Sequence, residues 1–169
     1  QIRSIQINVM GEVAVPGTYM LSSLSTVFHA LYRAGGVNNI GSLRSIRVMR
    51  GSNCIADLDV YDYILKGKLL DDIRLMEGDV IIVPPYEKLV DISGKVKRPM
   101  YYEMKKNETL ATLIKYAGGF SGDAYTKGVR LVRQSGREYK LFNIDEMDYS
   151  VFHLDDGDAV TVGSILDRF

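Results

Sequence analysis

Apolar and polar residues alternate near the beginning of the chain, where Ile5, Ile7 and Val9 are separated by polar neighbours. Successive side chains of a β-strand point to opposite faces, so this spacing of two predicts a half-buried strand. The strand is followed by Gly11, and a glycine at such a position often marks a bulge or the close approach of another backbone. We therefore predict a bulge or a close backbone contact at the end of this strand.

A hairpin turn is predicted next, because Pro16 and Gly17 fit the two central positions of a type II turn. In such a turn the proline fixes φ and the glycine accepts a positive φ. A second strand then follows, and Tyr19 within it is predicted to belong to the core of the hairpin.

The segment from about Leu24 to Ala34 has its apolar residues at helical spacing instead. Val27, Ala30 and Leu31 fall on one face of a helix. Gly35 follows at the position where many helices end on a residue in the left-handed conformation. The pattern predicts a helix with one buried face.

A strand is predicted at residues 46–50, followed by a polar turn at 51–53 and another short strand. A short helix is predicted at 59–65, and a last strand at 80–83. The order strand, strand, helix, strand, strand, short helix, strand describes a mixed sheet curled around one main helix. This is the α+β class, with the β-grasp (ubiquitin-like) layout.

The whole pattern occurs twice. Six blocks of residues recur 83 positions further along the chain. They are 9–13 with 92–96, Pro16 with Pro99, Tyr19 with Tyr102, Thr26 with Thr109, 34–36 with 117–119, and 47–50 with 130–133. Residues 75–79 then match 154–158 at an offset of 79, so the second copy lacks four residues around 66–69. We predict two tandem β-grasp modules, residues 1–86 and 87–169, joined by a short linker near residues 84–87.

The second copy departs from the first in its hairpin, where Met100 stands in place of the turn glycine and resists a positive φ. A different turn is expected there. Asn107 is predicted to cap the N-terminus of the second helix, and Gly118 is predicted to end that helix. Tyr102, like its counterpart in the first copy, is predicted to lie in the hairpin core.

Composition narrows the class of protein. Hydrophobic residues make up 46% and charged residues 25% of the chain, as in soluble globular proteins. Because 21 basic residues balance 21 acidic ones, no attraction to nucleic acid or to an anionic membrane is expected. The apolar runs are shorter than the roughly 20 residues of a membrane span. The start at Gln1 suggests a segment of a longer or processed protein.

Cys54 is the single cysteine, which excludes an internal disulfide and a cysteine-rich metal site. We expect it to be a small buried apolar residue.

One ordered set of residues runs through the first copy: Val9, Gly11, Val13, Pro16, Gly17 and Tyr19, then 34–36 at the end of a helix, then 77–79 before a strand that ends in proline. With this set the chain resembles the SLBB (soluble-ligand-binding β-grasp) family of bacterial polysaccharide export proteins. The order of the set recurs in the second copy, without the Pro-Gly turn and the closing Pro-Pro. The resemblance implies modules that stack in the periplasm and form rings carrying capsule or exopolysaccharide toward the outer membrane. Residues 164–169 look like the lead-in to a further repeat, so neighbouring modules are expected on both sides.

Catalysis is not predicted. His29 and His153 are the available histidine bases, and neither has a nucleophile motif beside it. The acidic pairs 71–72 and 155–156 could be imagined as glycosidase carboxylates, but adjacent acids in a strand or turn point apart. No metal and no cofactor are expected either, because the acidic run 155–158 lacks the spacing of a calcium loop and reads as a turn.

Saccharide binding is the functional alternative that the residues support best. Sugars are recognised by aromatic faces and multidentate polar groups, and the chain has 11 tyrosines with arginines repeated at Arg47, Arg50, Arg130 and Arg133. On strand alternation Arg47 and Arg130 face away from the core, where acidic sugars would suit them. We favour the other interpretation, in which these arginines guard the sheet face or contact an adjacent module.

We therefore expect a non-enzymatic periplasmic segment of a polysaccharide export protein, associated with the outer membrane through other parts of the protein. Its roles would be module packing, oligomeric assembly and weak glycan contact, and its partners polysaccharide, further SLBB modules and other export proteins. A carbohydrate-binding module with a defined pocket and a purely structural scaffold are the alternatives.

Overall fold

A computed structural model describes residues 2–66 and 73–167 of the chain. The chain divides into two compact units, Gln1–Tyr86 and Glu87–Phe169, which we call module 1 and module 2. Each has one five-stranded mixed sheet, which confirms the predicted α+β class.

Module 1 follows the predicted order of elements. These are β1 (Ser4–Gly11), β2 (Gly17–Ser22), α1 (Val27–Arg33), β3 (Ile46–Arg50), β4 (Asn53–Leu58), α2 (Val60–Lys66) and β5 (Val80–Val83). The sheet order is β2-β1-β5-β3-β4. β1 pairs in parallel with β5, and the other pairs are antiparallel.

Module 2 repeats this arrangement, with a 3₁₀ turn at Glu146–Asp148 in place of the short helix. Its elements are β6 (Leu89–Gly94), β7 (Met100–Glu103), α3 (Leu110–Tyr116), β8 (Gly128–Ser135), β9 (Glu138–Asp145) and β10 (Ala159–Val162). The sheet order is β7-β6-β10-β8-β9, again with one parallel pair, β6 with β10.

One face of each sheet packs against its helix to form the core. In module 1 the predicted alternation is confirmed, since Ile5, Ile7 and Val9 are all buried, and so are Val27 and Leu31 of α1. Burial of such side chains stabilises the fold by about 1.5–3 kcal/mol each. The opposite face of each sheet, which we call the outer face, carries the alternate residues of the strands.

Of the two alternatives predicted at Gly11, a bulge or the close approach of a neighbouring backbone, the structure shows the close approach. A Cβ atom there would lie 2.2 Å from the carbonyl oxygen of Val83, and one at Gly94 would lie 2.1 Å from that of Val162. The parallel strand therefore passes directly over the glycine in both modules. Only a residue without a side chain allows this contact.

The predicted type II turn at Pro16 and Gly17 is wrong. Gly17 has φ of 157° and is the first residue of β2, paired with Val9, so the reversal is completed before it. Met100 begins β7 in the same way. The proline-glycine pair starts a strand here, and a methionine in its place causes no conflict.

The capping of the helices was predicted in part. Asn107 is not the N-cap of α3, because Thr109 takes that position and its backbone N–H donates to Oγ1 of Thr112 at 3.3 Å. At the other end the prediction is confirmed, since Gly35 and Gly118 have φ of 85° and 84°. Threonine is also a favoured N-cap residue, although asparagine ranks above it, and the apolar spacing alone does not locate the first turn.

Cys54 is exposed rather than buried, because it lies in β4 at the edge of the sheet. Tyr102 is buried and its hydroxyl donates to the carbonyl oxygen of Arg98 at 2.7 Å, whereas the equivalent Tyr19 is only half-buried. The core prediction thus holds fully for Tyr102.

Some predictions fall on residues that the structure does not describe. The acidic pair 71–72, residues 67–69 in the region where the second copy is shorter, and residues 168–169 lie outside the described residues. Among the helices of the described residues, none has the length and apolar character to span a membrane.

Candidate functional site

Arg47 and Arg130 occupy equivalent positions on the outer faces of the two sheets, and both are exposed, as the alternation of the strands predicts. Arg130 lies in β8 between Thr161 of β10 and Asn143 of β9, its partners across the two neighbouring strands. Side chains at such directly opposite positions have Cβ atoms about 5 Å apart. Arg130 is therefore surrounded by polar groups that can act together.

Arg130, Asn143 and Thr161 belong to a groove of about 630 Å³ on module 2, which we call the module 2 groove. It is formed by β8, the end of β9, β10 and the segments beside them. The lining residues are Tyr125, Lys127, Gly128, Val129, Arg130, Asn143, Ile144, Asp145, Thr161, Gly163 and Ser164.

The groove brings together the groups that recognise a hydroxylated, anionic ligand. Lys127 and Arg130 supply positive charge, Asn143 and Thr161 can donate or accept hydrogen bonds, and Tyr125 supplies an aromatic ring. Guanidinium binds a carboxylate in a bidentate way, which favours acidic sugars.

Asp145 is the one carboxylate among the lining residues of the groove. Its Oδ1 accepts a hydrogen bond from the backbone N–H of Met147 at 3.2 Å, at the start of the 3₁₀ turn. The carboxylate therefore has a structural role, and the two cations outnumber it.

Tyr149 supports the segment that forms one wall of the groove. Its hydroxyl donates to the carbonyl oxygen of Thr126 at 3.1 Å. Burial, followed by the charges of Glu146 and Asp145, raises the pKa of Tyr149 to about 12. The phenol is therefore protonated at neutral pH and keeps this hydrogen bond.

Arg50 and Arg133, the other two candidate residues, are held by buried aspartates. Arg133 donates from Nε and Nη2 to the two carboxylate oxygens of Asp158 at 2.9 Å each, and Arg50 does the same with Asp79. The hydrogen bonds with Asp158 raise the pKa of Arg133, although burial opposes them. Both arginines thus have a structural role, and their contact with a glycan stays a prediction.

The acidic run at 155–158 forms the predicted turn. Asp158 accepts the backbone N–H of Asp155 at 2.8 Å, and its own N–H donates to the carbonyl oxygen of Asp155 at 3.1 Å. Within residues 2–66 and 73–167, no three acidic, histidine or cysteine side chains form a group that could hold a metal ion.

The two histidines are exposed, and neither is among the residues that line the groove. The Nδ1 atom of His29 accepts the backbone N–H of Thr26 at 3.0 Å, at the start of α1. His29 therefore helps to cap the N-terminus of α1.

Sequence reasoning missed Lys127, Asn143 and Thr161. They come from three separate segments, and only the register of β8 with β9 and β10 places two of them beside Arg130. The repeat offset could have pointed to Lys127, because residues 44 and 127 both carry a cation.

Two copies of a five-stranded mixed sheet on one helix, in tandem, define a β-grasp repeat protein. Comparison with known families gives the particular kind. Two family profiles, each described as SLBB domain, match the chain at residues 6–83 and at residues 89–142. One match falls in each module, and together they span most of the chain. The chain belongs to the SLBB domain family, as its residues predicted.

Two curated Escherichia coli proteins resemble the chain, both named polysialic acid transport protein KpsD. Each is 30% identical to it over 113 residues, which is 66% of this chain. The aligned part is 20% of each relative, so the chain spans about a fifth of the length of the curated relatives it matches.

Proposed function

We propose that this chain is a non-enzymatic segment of a polysaccharide export protein that works in the periplasm, in association with the outer membrane. The two SLBB domains and the likeness to the polysialic acid transport proteins support this proposal. Its partners would be the exported polysaccharide, further SLBB modules and other proteins of the export machinery.

The observation that carries a direct role is the module 2 groove, in which Arg130 and Lys127 lie beside neutral hydrogen-bonding groups. An acidic glycan fits such a groove, because its carboxylates can pair with the cations and its hydroxyls with the polar side chains. Exposed cations are well solvated, so the contact would be weak. Weak contact suits a conduit, since a tight site would hold its cargo.

Assembly is the second part of the proposed role. The outer face of module 2 exposes Tyr101, Tyr139 and Leu141, each more than 60% accessible. Tyr139 and Leu141 lie on the same face of β9, and an apolar patch on an exposed face is typical of surfaces that contact other proteins. Sedimentation over a range of protein concentrations tests this part, and a single mass at all concentrations would count against it.

The groove supports binding rather than cleavage of a glycan. Hydrolysis of a glycosidic bond ordinarily needs two carboxyl groups on opposite sides of the bond. Asp145 is the one carboxyl group that lines the groove, and it caps a turn. We infer that the groove does not shorten the polymer.

Arg130→Ala is expected to weaken binding of an acidic oligosaccharide about tenfold, which corresponds to about 1.4 kcal/mol. This is the lower end of the range for a hydrogen bond to a charged group, because the guanidinium is exposed to water. Saturation-transfer NMR titrations of the full chain measure the change. Arg137→Ala is the matched control, since Arg137 is exposed in the turn between β8 and β9 and does not line the groove. Equal affinities for wild type and Arg130→Ala would contradict the proposal.

A further inference from the structure

We propose that the two modules have diverged in function, so that module 2 contacts acidic glycans and module 1 does not. This inference rests on the proposed function and names the module and the class of sugar. It follows from comparing the surroundings of Arg130 with those of Arg47, the same position of the repeat.

The first difference is the charge across the strand. Arg130 lies opposite Asn143 of β9, whereas Arg47 lies opposite Asp57 of β4. Opposite charges at directly opposed positions attract one another. Asp57, whose Oδ1 accepts the Ser45 hydroxyl at 3.0 Å, therefore places a negative charge beside Arg47 that repels an anionic ligand. The neutral amide of Asn143 adds no such charge beside Arg130.

The second difference is the neighbouring cation. The repeat offset places Arg44 of module 1 at the position of Lys127. Arg44 is 6% exposed, its Nη2 lies 3.1 Å from Oδ2 of Asp59, and its guanidinium lies 4.6 Å from the centre of the Tyr61 ring. Lys127 is exposed and lines the groove. The cation at this position of the repeat is thus buried in module 1 and exposed in module 2.

The third difference is the loss of an exposed hydroxyl group. Thr161, the partner of Arg130 on β10, is replaced in module 1 by Ile82, the partner of Arg47 on β5. A sugar at the module 1 position would meet apolar groups that cannot replace its bonds to water, which disfavours binding.

All three differences favour the binding of an anionic sugar by module 2 over module 1. The residues that produce them lie on different segments of the chain. Together they give module 2 a net attraction for carboxylated sugars and leave module 1 without one. The expected ligand is an acidic oligosaccharide, and a neutral oligosaccharide of the same length is expected to bind more weakly.

The test is Asn143→Asp, which gives Arg130 the neighbour that Arg47 has. The two side chains have the same shape and the site is exposed, so folding should be unaffected. We expect about a tenfold loss of affinity for an acidic oligosaccharide, from one added like charge near the ligand. The affinity for the neutral oligosaccharide should change less than about twofold, since that ligand has no charge to repel.

Two matched variants test whether the effect of Asn143→Asp depends on where the negative charge is placed or only on the net charge of the protein. Gln134→Glu adds the same charge to the outer face of β8, four residues from Arg130, and should lower affinity less than about twofold because solvent screens the distant charge. Arg47→Ala should leave the affinity unchanged, since module 1 does not contribute.

The outcomes distinguish this inference from the proposed function. Saturable binding that Asn143→Asp leaves unchanged, that Arg47→Ala weakens, or that is equal for acidic and neutral ligands overturns the inference and leaves glycan contact standing. Absence of binding by either oligosaccharide overturns both the glycan contact and the inference.

Discussion

Gly94→Ala is expected to unfold the sheet of module 2. The added Cβ would lie 2.1 Å from the carbonyl oxygen of Val162, a contact so short that one of the two backbone segments must shift. The same carbonyl accepts the N–H of Lys95 at 3.0 Å, so relief of the clash breaks the parallel pairing of β6 with β10. We expect a loss of roughly 4 kcal/mol or more, a large part of the stability of a small domain.

Gly119→Ala is the matched control for this variant. Gly119 has φ of 84°, close to the 88° of Gly94, but a Cβ there meets nothing within 4 Å. It therefore carries the cost of the backbone conformation alone, about 1–2 kcal/mol. Hydrogen exchange measured by mass spectrometry reads each module separately, with module 1 as the internal reference. Equal effects of the two substitutions would show that the strand does not pass over Gly94.

Asp158→Asn is expected to destabilise module 2 by about 3 kcal/mol, because it leaves polar groups of a buried pair unmatched. The Asp158 side chain is fully buried and accepts two hydrogen bonds from Arg133 and one from the N–H of Asp155. An asparagine amide would place a donor against the donors of Arg133. Urea unfolding, followed by hydrogen exchange in each module, measures the loss.

Asp155→Asn provides the comparison. Asp155 also approaches Arg133, at 3.3 Å, but its side chain is 60% exposed. A pair in contact with water contributes about 0–1 kcal/mol, so this variant should be close to wild type. If Asp158→Asn were equally mild, Arg133 would be free to serve a ligand and its structural role would be refuted.

The elements of this fold are readable from the sequence because they depend on local periodicity. The spacing of two in β1 and the helical spacing in α1 both produced the observed structure, and the repetition supported each reading. Features that depend on the surroundings of a single residue are harder to predict from the sequence. Cys54 is apolar enough for a core, and only its place in an edge strand exposes it.

The candidate site was predicted only in outline. Alternation gave the exposure of Arg130, but its neighbours Asn143 and Thr161 lie 13 and 31 residues further along the chain and meet it through the strand register. In the same way, nothing in the local sequence shows that Arg133 is bound by Asp158, 25 residues away. Long-range pairing decides which arginine is exposed and which supports the fold.

The most direct test of the account is a chemical-shift map of the isotope-labelled chain during titration with an acidic oligosaccharide. We predict reversible, saturable shifts at the module 2 groove, around Arg130, Asn143 and Thr161, without shifts around Arg47 in module 1. Shifts confined to module 1, or spectra that do not change at saturating glycan, would contradict the account.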